Sequence, residues 1–190
     1  KGGYTAMVLL GVDIYTGMRY LVDLVNHKQM KTPQIHDQMV DWASRYDIDE
    51  FRVEYNGLQI QMFEWDQDLK RRLTLHGTRM TGHKTHRWNK GDAEGGVESM
   101  ATMFHNGQVS IPWGDITART KFKPLCDQLL QFGMGQINDL VMALWFAELG
   151  CRDLYKHNKM PMYDPRAKIP ARLRGRRVVK TTAGRMRSPT

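Results

Sequence analysis

Cysteine is scarce: Cys126 and Cys151 are the only two in 190 residues. They stand far apart without metal-ligand spacing, which speaks against a zinc site and against a disulfide framework. They read as reduced thiols of an intracellular protein. No apolar run approaches the roughly 18–20 residues that cross a bilayer, so no membrane contact is expected. Lys1 opens the chain without a secretory leader, and the sequence is expected to begin inside a longer protein. A GxxxxGK[ST] phosphate loop is missing; GDAEGG, at 91–96, has neither the spacing nor the lysine. The Ser, Cys and His residues show no nucleophilic arrangement, and the chain carries no internal repeat or low-complexity tract.

What is present suits one globular domain with a proper core: 190 residues, 41% hydrophobic and 9% aromatic. The net charge of +8 is unevenly placed. Nine of the 28 Lys and Arg, but one of the 20 Asp and Glu, fall between Asp164 and Thr190. The rest of the chain is neutral, with nineteen of each sign. The expected organisation is therefore a domain over 1–155 and a basic tail over 156–190, in which prolines, glycines and like charges leave no stable element. The tail reads as a solvated extension, as a DNA-contacting arm through Arg172, Arg174, Arg176 and Arg177, or as a docking segment for another component.

Along the body, Thr5–Gly11 and Arg19–Val25 read as two strands of a hairpin turned at Thr16-Gly17. Thr32 is the expected N-cap of a helix with Pro33 at its first position. Ile35, Met39, Trp42 and Tyr46 form its apolar stripe. Phe51, Val53 and Tyr55 alternate with Arg52 and Glu54, the period of a half-buried strand, and Asn56-Gly57 ends it. A second helix is expected over Leu58–Leu75, a short strand near Arg79–Gly82, and then a polar loop, GHKTHRWNKGD. Further helices follow over Ala93–Asn106 and Phe122–Phe132, separated by a strand in GQVSIPWG that proline stops. After a break at Gly133–Gly135, Asn138 or Asp139 caps a last apolar helix, LVMALWFAEL. Strands in a hairpin, then strands alternating with helices, predict an α/β architecture with a mixed sheet flanked by helices.

In open sheets of this kind ligands bind beyond the carboxyl ends of the strands, and Glu54 falls at such an end. Asp139 opens a helix, where the dipole favours a carboxylate. Converging carboxylates suit hard cations such as Mg²⁺ or Mn²⁺. Two structural alternatives stand beside this: Asp139 as a plain N-cap, and Glu54 paired with Arg52 or Lys90. His83 and His86 in HKTH belong to a polar loop rather than to a zinc pair. Lys84, Arg87 and Lys90 of that loop are open to two readings, as phosphate contacts or as solvated charges. The thirteen methionines and five tryptophans read as core filling.

Four stretches, in this order, carry a family resemblance: KGGYTAMVLLGVDIYTGMRYLVD, FRVEYNGLQ, NKGDAEGGVESMATMFHNGQVSIPWGD and CDQLLQFGMGQINDLVMALWFAE. Over Lys1 to Leu149 the chain resembles the C-terminal nuclease domain of the large terminase subunit of tailed bacteriophages. The resemblance implies an RNase H-like fold and a divalent-metal-dependent endonuclease, a hydrolase that cuts concatemeric double-stranded viral DNA during packaging. It implies one or two Mg²⁺ or Mn²⁺ ions held by an acidic cluster. By position, Glu54 and Asp139 are catalytic metal ligands, with Asn138 beside them where the family often has a second acid. The cluster's first member, an aspartate on the first strand, falls upstream of Lys1; Asp13 and Asp23 match the hairpin instead. The implied partners are viral DNA, the terminase ATPase domain of the same full-length chain, the portal and the small terminase subunit. The implied location is the host cytoplasm, transiently at the procapsid.

The missing acid and the uncharged Asn138 keep two other readings in play. One is a non-catalytic DNA-binding or assembly module on an RNase H-like scaffold; the other is a nuclease of the resolvase or transposase type.

Overall fold

The computed structural model describes residues 4–55, 66–85, 96–134, 138–158 and 180–181. Its first element is the expected hairpin. The Asp13 side chain accepts hydrogen bonds from the Tyr15 N–H at 2.8 Å and from Thr16 Oγ1 at 2.7 Å. Gly17 takes a φ of +76°, a conformation that a side chain resists. Burial would raise the Asp13 carboxyl, but these donors outweigh it and hold its pKa below the ordinary value. The turn joins β1 (Tyr4–Val12) to β2 (Arg19–Lys28), antiparallel from Tyr4 opposite Lys28 to Val12 opposite Arg19. The register slips at Leu9/Leu10, a bulge.

After β1 and β2 come α1 (Thr32–Arg45), β3 (Glu50–Glu54), α2 (Gln67–Thr74) and β4 (Arg79–His83). They are followed by α3 (Ser99–His105), β5 (Val109–Ser110), α4 (Ile116–Leu130), α5 (Asp139–Asn158) and β6 (Lys180–Thr181). The α/β class holds, but among the described residues the strands form two sheets rather than one. A mixed four-stranded sheet has the order β5-β2-β1-β6, with β5 parallel to β2 and the other neighbours antiparallel. A separate pair, β3-β4, is parallel, with Glu50 opposite Arg79 and Glu54 opposite His83.

The near-unbroken apolar run of β1 has its cause in burial on both faces. Leu10 and Val12 join Leu140, Val141, Leu144 and Trp145 of α5, with Phe122 and Leu125 of α4, in one core. Leu9, on the opposite face of the strand, packs with Met39 and Trp42 of α1, Phe51 of β3, and Leu69 and Leu73 of α2. Each fully buried leucine contributes about 1.5–3 kcal/mol of hydrophobic stabilisation.

Several boundaries differ from the sequence expectations. The cap of α1 is Lys31, whose N–H donates to Gln34 Oε1 at 2.8 Å, so Thr32 already lies inside the helix. Asp66, accepting from the Leu69 N–H at 2.7 Å, caps α2. The part of that helix expected over 58–65 lies outside the described residues. Helix α4 starts six residues before the expected Phe122, at a real cap: the Asp115 side chain accepts from the Ala118 N–H at 2.8 Å. It accommodates Pro124 in its interior. Helix α5 continues past Leu149 to Asn158, so it crosses the boundary expected at 155. The tail, expected to hold no stable element, supplies β6, paired with Gly11 and Val12. Among the described residues no helix is long and apolar enough to cross a membrane. Both cysteines are free, and Cys151 is buried.

Candidate functional site

Glu54 is the last residue of β3, where alternation places it half-buried. The hydroxyl of Thr85, just beyond β4, donates to its Oε1 and ties the carboxylate down. Next to it the Tyr55 N–H donates to the His83 carbonyl at 2.8 Å, carrying the β3-β4 pairing one residue past the strand. The His83 ring meets Trp145 edge-on, with centroids 5.5 Å apart at 87°, and lies 5.6 Å from Phe146. The carboxyl ends of β3 and β4 are thus seated on α5.

Asn138 and Asp139 sit at the start of that helix, both half-buried. The Asn138 carbonyl accepts from the Met142 N–H at 2.9 Å, which makes Asn138 the helix cap and places Asp139 in the first turn. One of the otherwise orphaned first-turn donors, the Leu140 N–H, reaches Gln128 Oε1 of α4 at 2.8 Å. Glu54, Asn138 and Asp139 line one cavity of about 400 Å³. Tyr4–Val8 of β1 and Phe51–Val53 of β3 form its sides. Ile35, Met39 and Trp42 of α1 close it from one direction, and Met142, Ala143, Phe146 and Ala147 of α5 from the other.

The residue bonded to Arg52 is Glu50, not Glu54. Arg52 donates through Nε to Glu50 Oε1 at 2.9 Å and through Nη2 to Asp153 Oδ2 at 2.8 Å. Glu50, 1% exposed, also accepts from Arg79 Nη2 at 2.9 Å and from the Thr81 hydroxyl. Burial would raise the Glu50 carboxyl, but the Thr81 hydroxyl and the two guanidiniums outweigh it and hold its pKa below the ordinary value. A second buried network joins Glu148, 2% exposed, to Arg19 at 2.8 and 3.0 Å and to Arg152 at 3.0 Å. These two clusters are structural ion pairs, and neither Glu50 nor Glu148 lines the cavity.

Of the remaining sequence candidates, Lys84 is exposed beside Thr85. His83 belongs to β4 rather than to the polar loop. Arg87, Lys90, His86 and the tail arginines Arg172, Arg174, Arg176 and Arg177 lie outside the described residues. Asp23 sits on β2, where Lys121 Nζ meets its Oδ1 at 2.5 Å. Among the described residues no group of three or more His, Cys, Asp and Glu is placed to hold a metal ion. Sequence reasoning missed Thr85 as the partner of Glu54; a threonine in a polar loop gives no signal of its own. It also missed the apolar walls of the cavity, because Ile35, Met39 and Trp42 read simply as a helix stripe.

No family model, curated protein or solved structure matches this chain.

Proposed function

We propose that this chain is the nuclease domain of a viral genome-packaging terminase, with an RNase H-like fold and a divalent cation at the Glu54–Asp139 cavity. The observation that carries the reading is that Glu54, Asn138 and Asp139, from distant parts of the chain, line one cavity. The donor set fits the cation: two carboxylates and an amide carbonyl are hard ligands of the kind that Mg²⁺ and Mn²⁺ take. When bound, such an ion supplies an activated water and offsets the charge that builds on a phosphodiester during hydrolysis.

The chain's own residues hold and orient. Glu54 and Asp139 present carboxylate oxygens and Asn138 its carbonyl. Thr85 fixes the Glu54 rotamer by its hydroxyl. Asp139 sits in the first turn of α5, at the positive end of the helix dipole. The residues that α1 and α5 contribute to the cavity beyond Asn138 and Asp139 are apolar: Ile35, Met39 and Trp42, and Met142, Ala143, Phe146 and Ala147. Nothing here resembles a base-reading recognition helix, so cleavage should show little sequence preference. The substrate is double-stranded viral DNA in the host cytoplasm, and the ATPase motor, portal and small subunit are the partners.

The test is cleavage of supercoiled plasmid by the full-length polypeptide with Mn²⁺, with and without chelator. Glu54→Ala and Asp139→Ala should each lower the rate by more than the ~10–100-fold that loss of a supporting group causes. Both residues are half-buried at element ends, so the circular dichroism spectrum should not change. Normal cutting by Glu54→Ala would remove that residue from the site. A second reading, a DNA-binding module without catalysis, is favoured by the uncharged Asn138. It predicts that the unmodified protein binds the plasmid and never nicks it. Preference for a branched junction over linear duplex would instead point to a resolvase.

A further inference from the structure

The cavity has a closed end and an open one. Trp42, Phe51 and Ala147 are buried at the first. At the other, Tyr4 is exposed, and Ile35, Glu54 and Asp139 are half-buried. Three lysines from different parts of the fold flank this open end. Lys28, the last residue of β2, stands opposite Tyr4 in the antiparallel register. Lys31, the cap of α1, lies one helical turn before Ile35, whose N–H donates to its carbonyl at 3.1 Å. Between these two lysines Gln29 takes a φ of +59°, a left-handed turn that leads β2 into α1. Lys84 follows His83, which is opposite Glu54 on β4. All three lysines are exposed. Among the described residues neither Lys28 nor Lys31 pairs with an acid, whereas Lys121 and Lys123 of α4 are held by Asp23 and Asp127.

We propose that Lys28 and Lys31 form a phosphate-binding edge at the mouth of the cavity. They hold the backbone of duplex DNA on the β2–α1 side of Glu54, while Lys84 holds it on the β4 side. The inference takes its substrate from the cleavage reading and adds the side chains that seat it. Two exposed ammonium groups without acidic partners give a local positive field, and each phosphate they neutralise releases counterions. An ammonium takes a phosphate oxygen as a point charge, whatever the base attached. Both lysines belong to the domain, so their share of DNA binding is separate from that of the tail.

The test is binding of a short duplex to the full-length polypeptide in the presence of chelator, by fluorescence anisotropy between about 50 and 200 mM salt. No cleavage is needed, so a protein that binds duplex but never nicks it refutes the cleavage reading and leaves this inference standing. Lys28→Gln/Lys31→Gln should flatten the slope of log K against log salt by about 2. The control pair Lys123→Gln/Lys156→Gln removes the same charge from α4 and from the last turn of α5, and should leave the slope nearly unchanged. A second readout uses the unmodified protein and depends on no variant folding. Duplex should shield Lys28 and Lys31, but not Lys123 or Lys156, from acetylation, read by peptide mass. An unchanged slope in Lys28→Gln/Lys31→Gln, an equal fall in the control pair, or acetylation of Lys28 and Lys31 that duplex does not slow would overturn the proposal. Equal shielding by polyglutamate would overturn it too, since the edge would then be a general anion surface.

Discussion

The two acids that matter most to this protein behave in opposite ways, and their surroundings say why. Glu50 and Glu54 are four residues apart on one strand and therefore share a face. Glu50 is enclosed and receives Arg52, Arg79 and Thr81; Glu54 stands at the strand end, where the cavity begins. The first is committed to the fold; the second lines the cavity. Because the folded pKa of Glu50 lies below its ordinary value, the group adds stability in full above the ordinary glutamate range, near 4.3. That contribution is lost as pH falls through the lower folded value. Glu50→Gln should therefore cost stability at pH 7, and the gap between variant and parent should narrow as pH is lowered from about 5 towards 3. Thermal unfolding across that range measures it. A gap that stays constant would mean that the Glu50 charge contributes nothing to acid sensitivity.

At the scale of elements, the legible features were those with a period or a strong local signal. The hairpin was readable from its two apolar runs and Thr16-Gly17, and the stripe of α1 from its spacing. The end of β3 was readable because alternation stopped at Asn56-Gly57, and this is what picked out Glu54. Asp139 was readable because a glycine break preceded an apolar helix. The helix expected from Phe122 starts earlier: its cap is Asp115, seven residues before, and Pro124 is carried inside α4. The Glu50 and Glu148 networks were not legible, because each joins residues with no pattern between them, such as Arg19 and Glu148. The split of the strands into two sheets was likewise invisible, since alternation gives a strand its faces but not its neighbours. The position of the α4 start has a direct consequence. Asp115→Ala removes the acceptor of the Ala118 N–H and should destabilise the protein by about 1 kcal/mol, read by urea denaturation. Asp115→Ser should restore most of it. An unchanged midpoint in the alanine variant would show that water caps the helix equally well.

For the molecule as a whole, charge is segregated more sharply than structure. A neutral domain carries a segment from Asp164 to Thr190 with nine basic residues and one acid, and part of that segment, Lys180–Thr181, is joined to the domain as β6. The join separates two roles for the tail that are otherwise hard to tell apart. If the arginines contact DNA, each phosphate they neutralise steepens the dependence of log K on log salt by about 0.9. Replacing Arg172, Arg174, Arg176 and Arg177 together by glutamine leaves β6 in place, and should flatten the slope for duplex DNA by about 3 to 4. If these four arginines serve DNA rather than the fold, the melting temperature should stay within about a degree. Deleting 164–190 removes β6 as well and should lower the melting temperature too. Fluorescence anisotropy on a short duplex between about 50 and 200 mM salt measures the slope. An unchanged slope in the four-glutamine variant would confine DNA contact to the domain and leave the tail its structural contact with β1.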